Sequence, residues 1–230
     1  MTPLVLLPGM MCDARLYGPQ IAELSGEVPL HLAPVTGHES IRELAEDLLQ
    51  NAPPRFALAG LSMGGIVAME VVRQAPERVV RLALLDTNPR AELDEVKKGR
   101  EPQIDKVRAG SLKDVMRDEL KPNYLANGPR RQDVLDLCMD MALDLGAGVF
   151  ERQSRALQTR PDQQDTLAGV TCPTLVLMGA EDRLCPLDRH ELMHDLISGS
   201  TLTIVEGAGH LPTLEQPDAV NEAFKTWLEL

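Results

Sequence analysis

Ser62 stands two residues from a glycine on either side, in Gly60-Leu61-Ser62-Met63-Gly64. The apolar run FALAG leads into it and the helical pattern GGIVAMEVVRQAP leads out. A serine at a sharp strand-to-helix turn projects its hydroxyl away from the backbone. It also sits near the positive end of the following helix, where developing negative charge is favoured. Bulky side chains two positions to either side would collide with the neighbouring strand and helix, which accounts for the glycines. With glycine near 7% of residues and serine similar, this spacing arises by chance in roughly one chain in ten of this length. Its surroundings must therefore decide. A glycine-rich turn that cradles phosphate is the bland alternative, but neither the P-loop lysine spacing nor G-x-G-x-x-G is present.

A serine hydroxyl attacks a carbonyl only when a base takes its proton and an acid orients that base. His210, in TIVEGAGHLPTLEQP, supplies a base on a loop after an apolar run. Asp182, in TLVLMGAEDRLCP, supplies an acid at the mouth of the run before it. Asp86, in LLDTNP, is a rival acid after the fourth run, and Glu181 falls one place short of the expected position. His31, His38, His190 and His194 read as structural or solvated groups, and no spacing gathers them into a metal site.

The elements that must position these groups are legible as short apolar runs. LVLL (4–7), PLHLA (29–33), FALAG (56–60), RLALLD (81–86), TLVLMG (174–179) and TLTIVE (201–206) read as six strands. Most are continuously apolar, as in a parallel sheet covered on both faces. Helical patterns separate several of them, including SIRELAEDLL, where Ser40 and Glu43 make a capping box, and PDAVNEAFKTWLEL. Alternation of this kind predicts an α/β fold with right-handed crossovers. It lapses over 89–166, where AELDEVKKG, QIDKVRAG, SLKDVMRDEL, RRQDVLDLCMDMALDL and GVFERQSRAL read as helices without strands between them. The expected division is a core of 1–88 and 167–230 carrying a helical cap of 89–166.

With GLSMGG, LVLMGAEDRLCP and EGAGHLPTLEQPDAVNEAFKTWL in this order, the chain resembles the α/β-hydrolase family along nearly its whole length. The resemblance implies a mostly parallel six-stranded sheet flanked by helices, with a helical cap insertion, and a Ser62–His210–Asp182 triad. Family members open with two further strands, so the first apolar run here corresponds to the third. Its following loop would supply an oxyanion-hole N–H. Many members carry His-Gly there; this chain has Pro8-Gly9 followed by Met10, and the pattern puts the backbone N–H groups of Met10 and Met63 towards the oxyanion. The expected activity is hydrolysis of a carboxylic ester, thioester or lactone of a small apolar acyl substrate, with no cofactor and no metal. Carbon–carbon bond hydrolysis, perhydrolysis, acyl transfer and slow-turnover sensing of a small molecule remain open on the same fold. A haloalkane dehalogenase is disfavoured, since that family has aspartate where this chain has Ser62.

Composition narrows the partners. A formal net charge of −12 without clusters of Lys and Arg argues against nucleic acid. The apolar runs are too short to span a bilayer, and MTPLVLLPGM lacks a basic leader and a small-residue cleavage site. Cys12, Cys138, Cys172 and Cys185 show no CxxC pairing, as expected in the reducing cytoplasm. Oligomeric state is not legible. Met10, Met11, Met63, Met139 and Met141 are candidates to line an apolar pocket, and Cys12 and Cys185 to stand at its mouth. Asp13 reads as a structural acceptor beside the oxyanion loop. Arginines in RQSRALQTRPD (152–162) are candidates for a substrate carboxylate, most of them solvated or paired.

Overall fold

The computed structural model describes residues 2–230. The chain runs through β1 (Leu4–Leu7), α1 (Gly18–Leu24), β2 (Leu30–Leu32), α2 (Ile41–Asn51), β3 (Phe56–Leu61), α3 (Met63–Gln74) and β4 (Val79–Leu85). A helical stretch follows, with α4 (Asp94–Arg108), α5 (Leu112–Asp114), a wider π-type turn over Val115–Leu120, α6 (Arg131–Gln158) and α7 (Gln164–Ala168). It closes with β5 (Thr174–Gly179), α8 (Leu187–Leu196), β6 (Thr201–Val205), α9 (Pro212–Glu215) and α10 (Pro217–Leu228). All six expected strands form, in a single sheet of order β2-β1-β3-β4-β5-β6. Every pairing is parallel.

Burial follows the sequence pattern. β1, β3 and β5 are buried at every residue, whereas the edge strands β2 and β6 are half open. Successive side chains point to opposite faces, so Val5, Leu7, Leu58, Leu84 and Val176 share one core with α2, α3 and α8. Leu4, Leu6, Ala57, Ala59, Leu85 and Leu177 share the other with α1 and α10. The Ser40 hydroxyl accepts from the Glu43 N–H and donates to the Glu43 carboxylate, fixing the start of α2.

The strand order also decides where a ligand can sit. From β1 the chain passes outward to β2, then α2 carries it back to β3 on the other flank of β1. The loops after β1 and β3 therefore diverge, leaving a crevice at the carboxyl ends of the two strands. Pro8-Gly9-Met10 follows β1, and Ser62 follows β3.

The helices between β4 and β5 depart in detail from the sequence expectation. AELDEVKKG and QIDKVRAG belong to one helix, α4, which continues through Pro102. The two segments expected around Gly146 are joined end to end in α6, with Gly146 alone non-helical at φ 79° and ψ 175°. Ile104, Val107, Val115, Met116, Ala142 and Phe150 from these helices form a third apolar cluster, which also takes in Met11 from the loop after β1. Among the described residues, no helix is long and apolar enough to cross a membrane.

Candidate active site

Ser62 joins β3 to α3 with a positive φ of 54° and a ψ of −115°. That conformation is strained for a residue bearing a Cβ, and the surrounding bonds hold it. The Ser62 N–H donates to the Leu85 carbonyl at 2.9 Å, and the Ser62 carbonyl accepts from the Thr87 hydroxyl at 2.7 Å. A Cβ at Gly60 would overlap the Gly64 carbonyl, and one at Gly64 would overlap that of Leu7. Because backbone cannot yield as a side chain can, Gly64→Ala is expected to cost at least about 3 kcal/mol, the upper end of ordinary overpacking. Gly99→Ala, inside α4 with nothing within 4 Å of its added methyl, should instead stabilise by about 0.5–1 kcal/mol. Urea unfolding of both variants checks this, and a Gly64→Ala protein as stable as wild type would contradict the steric account.

One row of hydrogen bonds runs from β5 to the serine. His210 Nε2 lies 2.9 Å from Ser62 Oγ, and His210 Nδ1 lies 2.8 Å from Asp182 Oδ2. The other Asp182 oxygen accepts from the N–H groups of Leu184 at 2.8 Å and Cys185 at 3.1 Å. Burial works to raise the Asp182 pKa, but His210 and these two N–H groups outweigh it and hold the carboxyl below its usual range. An ionised Asp182 requires the proton on Nδ1, leaving Nε2 to accept from the serine hydroxyl. This arrangement can take a proton from Ser62 and stabilise the imidazolium that forms.

The rival acid makes different contacts. Asp86 has a φ of 44°, and its Oδ1 accepts from the Gly179 N–H at 2.9 Å. Its Oδ2 is buried with no hydrogen-bond partner among the described residues. Burial, and then the neighbouring charge of Asp182, push its pKa well up. Glu181 is exposed. It is Asp182 that meets the imidazole.

The loop after β1 lies against the serine. A Cβ at Gly9 would touch the Ser62 Cβ at 3.5 Å, so the two backbones are neighbours. Among the described residues, no acceptor in the surrounding turns takes the N–H of Met10 or of Met63. The next N–H, that of Met11, is occupied by Gln153 Oε1 at 2.8 Å, while Gln153 Nε2 donates to the Val35 carbonyl. Gln153 is fully buried and ties α6 to this loop. Asp13 caps the turn that follows, its Oδ1 accepting from the Arg15 N–H at 2.9 Å, and the Arg15 guanidinium beside it lowers its pKa.

Three further residues hold the histidine loop, and nothing in the sequence pattern marks them. The His210 N–H donates to the Tyr124 carbonyl at 2.6 Å, and the Tyr124 ring lies 6.2 Å from the imidazole, centroid to centroid. Glu215 Oε1 accepts from the N–H groups of Gly209 and Leu211, and its Oε2 from that of Ala126. Gly179 lets this loop approach β5, since a Cβ there would overlap the Gly209 carbonyl.

Above the row opens a cavity of about 540 Å³, lined by Met10, Met63, Ile66, Leu120, Leu157 and His210 among others. The methionine expectation holds for Met10 and Met63 and fails for the rest. Met11, Met139 and Met141 are absent from the lining. Met141 is fully buried, with its sulfur accepting from the Asp13 N–H at 3.5 Å, and Met139 packs against the cluster of helices between β4 and β5. Cys12 and Cys185 do line the cavity, but burial pushes both thiols well above their ordinary pKa. They are poor nucleophiles there. His190, by contrast, is a buried residue of α8, with burial pushing its pKa down to about 4.

The family model described as "Alpha/beta hydrolase family" matches residues 4–223. The chain belongs to the alpha/beta hydrolase family. This hydrolase is 27% identical over 235 residues to the pimeloyl-[acyl-carrier protein] methyl ester esterase of Pectobacterium carotovorum subsp. carotovorum (strain PC1), covering 96% of this chain and 92% of the relative. The hydrolase also superposes on a thermophilic esterase from Thermogutta terrifontis solved with malate bound, at 28% identity and a TM-score of 0.91. That match covers 100% of this chain and 90% of the esterase. An enol-lactonase from Burkholderia xenovorans LB400 shares the fold at 22% identity and a TM-score of 0.86, over 100% of this chain and 92% of the lactonase.

Proposed function

We propose that the protein is a serine hydrolase that cleaves a carboxylic ester of a small apolar acyl group through an acyl-enzyme on Ser62. The unbroken row Asp182–His210–Ser62 at the floor of the cavity is the observation that carries this reading. Ser62 Oγ attacks the ester carbonyl as His210 Nε2 takes its proton. The carbonyl oxygen becomes an oxyanion facing the free N–H groups of Met10 and Met63. Each such donor is typically worth roughly 2.7–4 kcal/mol in the transition state. The bond to the alcohol then breaks, the alcohol leaving with the proton from His210. Water, activated by the same imidazole, releases the acid and restores Ser62. Asp182 keeps the imidazole in the accepting tautomer throughout.

The names of the relatives agree with this bond type, since a methyl ester esterase acts on a carboxylic ester. Residues 89–166 act as a cap over the serine. The separate apolar cluster within them and the presence of Leu93, Val96, Gly99, Leu120 and Leu157 in the cavity lining support that role. The four free thiols are in keeping with a cytoplasmic enzyme.

Hydrolysis of p-nitrophenyl esters of increasing acyl length tests the proposal. Many turnovers per protein are expected, whereas at most a few would indicate a sensor. Each methylene buried in the cavity contributes about 0.8 kcal/mol, close to fourfold in kcat/KM, so activity should climb over the first carbons and fall once the cavity is full. Leu120→Ala should move the optimum to longer chains, and Met139→Ala, outside the lining, should leave it in place. A flat profile, or one that Leu120→Ala does not move, would contradict a cap-formed acyl pocket.

A further inference from the structure

The cavity above Ser62 is cationic in a chain whose formal net charge is −12. Arg90, Arg100, Arg160, Arg183 and Arg189 line it against one acid, Glu92. Two of these guanidiniums converge on that carboxylate. Arg100 donates to Glu92 Oε2 from Nε at 3.1 Å and from Nη2 at 2.7 Å. Arg160 Nη2 lies 3.0 Å from Glu92 Oε1, with the side chains of Arg160 and Glu92 only 10% and 6% exposed. Two cations on one anion leave a positive charge over, and an uncompensated buried charge is costly. Burial pushes the Arg160 pKa down, Glu92 opposes that, and the Arg100 charge adds to it. Arg160 is also short of hydrogen-bond partners. Its Nε is sealed from solvent with no acceptor among the described residues, and the ion pair to Glu92 holds its head.

Nearer the surface, Arg90 and Arg189 share the exposed carboxylate of Asp188. The cavity thus keeps an excess of guanidinium among both its buried and its more exposed lining side chains. An apolar acyl chain alone gives these groups nothing to bind. A planar guanidinium matches a carboxylate bidentately, and an anion at this place would balance the charge left by the Arg100–Glu92–Arg160 group.

We propose that Arg160, with Arg100 held beside it by Glu92, binds a carboxylate on the far end of the acyl chain, so that the substrate is a monoester of a dicarboxylic acid. The assignment rests on the reading of Ser62 as an ester-cleaving nucleophile. The acyl half is the part concerned because it stays on the enzyme after the alcohol has left, and the Arg160–Glu92 pair is a buried part of the cavity lining.

The test compares monomethyl with dimethyl esters of the dicarboxylic acids from succinate to suberate, by kcat/KM at low salt. Wild type is expected to favour the monoester by at least about tenfold at its best length. Arg160→Gln should erase most of that preference, chiefly through KM, and Arg160→Lys should keep part of it. Added salt should weaken the preference. In wild type, the free dicarboxylate of the best length should inhibit p-nitrophenyl ester hydrolysis more strongly than the monocarboxylate of equal length. This measurement holds even where Arg160→Gln fails to fold. Equal rates on the two esters at every length, or a preference unchanged in Arg160→Gln, would overturn the inference and leave ester hydrolysis standing. Inhibition by inorganic phosphate as strong as by the best dicarboxylate would overturn the carboxylate assignment. Turnover of p-nitrophenyl esters but of neither methyl ester would overturn this inference alone, and turnover of none of these esters would overturn the hydrolytic reading with it.

Discussion

Ser62→Ala is expected to lower kcat by about 10⁶-fold and to leave the unfolding transition close to that of wild type. The magnitude is that seen when the serine of a Ser-His-Asp protease is removed. It follows here from one geometric fact: the hydroxyl is the partner of His210 Nε2 at 2.9 Å, and alanine leaves that base nothing to deprotonate. Stability should survive because the bonds that hold the strained turn are made by the Ser62 backbone, to Leu85 and Thr87, which alanine retains. Steady-state kinetics beside urea unfolding separates the two effects. Activity within tenfold of wild type would move the nucleophile elsewhere.

Asp182→Asn is expected to cost about 10⁴-fold in kcat, and Asp86→Asn less than about tenfold. The amide at position 182 can donate to His210 Nδ1, which shifts the imidazole proton to Nε2 and removes the acceptor that Ser62 needs; the analogous protease substitution sets the scale. At position 86 the chemistry differs. Burial and the nearby Asp182 keep the Asp86 carboxyl in its neutral form to a higher pH than usual, and an amide is a close mimic of a neutral acid. Its carbonyl oxygen can still accept from the Gly179 N–H, as Oδ1 does at 2.9 Å. The pair of variants therefore discriminates between the strands. A larger loss for Asp86→Asn than for Asp182→Asn would place the acid after β4.

Much of this arrangement is legible in the sequence because local rules dictate it. Strands buried on both faces must be continuously apolar, and β1, β3 and β5 are. The turn at Ser62 needs glycine at two positions where backbone approaches backbone. The order serine, aspartate, histidine then falls on the ends of β3, β5 and β6. What escapes sequence reading is set by packing over long separations. Pro102 suggests a break that α4 does not make. Met139 and Met141, two residues apart, cannot share a helix face, and the buried series Val134, Cys138, Met141 and Ala142 shows which face α6 turns inward. The carbonyl of Tyr124, the carboxylate of Glu215 and the amide of Gln153 act on loops distant in the chain. The convergence of Arg100 and Arg160 on Glu92 likewise depends on where α4 and α6 end up.

Covalent trapping shows whether the Ser62 hydroxyl is the group that reacts. The protein is incubated with a fluorophosphonate, digested, and the phosphonylated peptide is sequenced by mass spectrometry. A single adduct is expected on Ser62, in the peptide containing GLSMGG, lost in Ser62→Ala and slowed strongly in Asp182→Asn. An adduct on another serine, or no adduct in a protein that turns over esters, would contradict it.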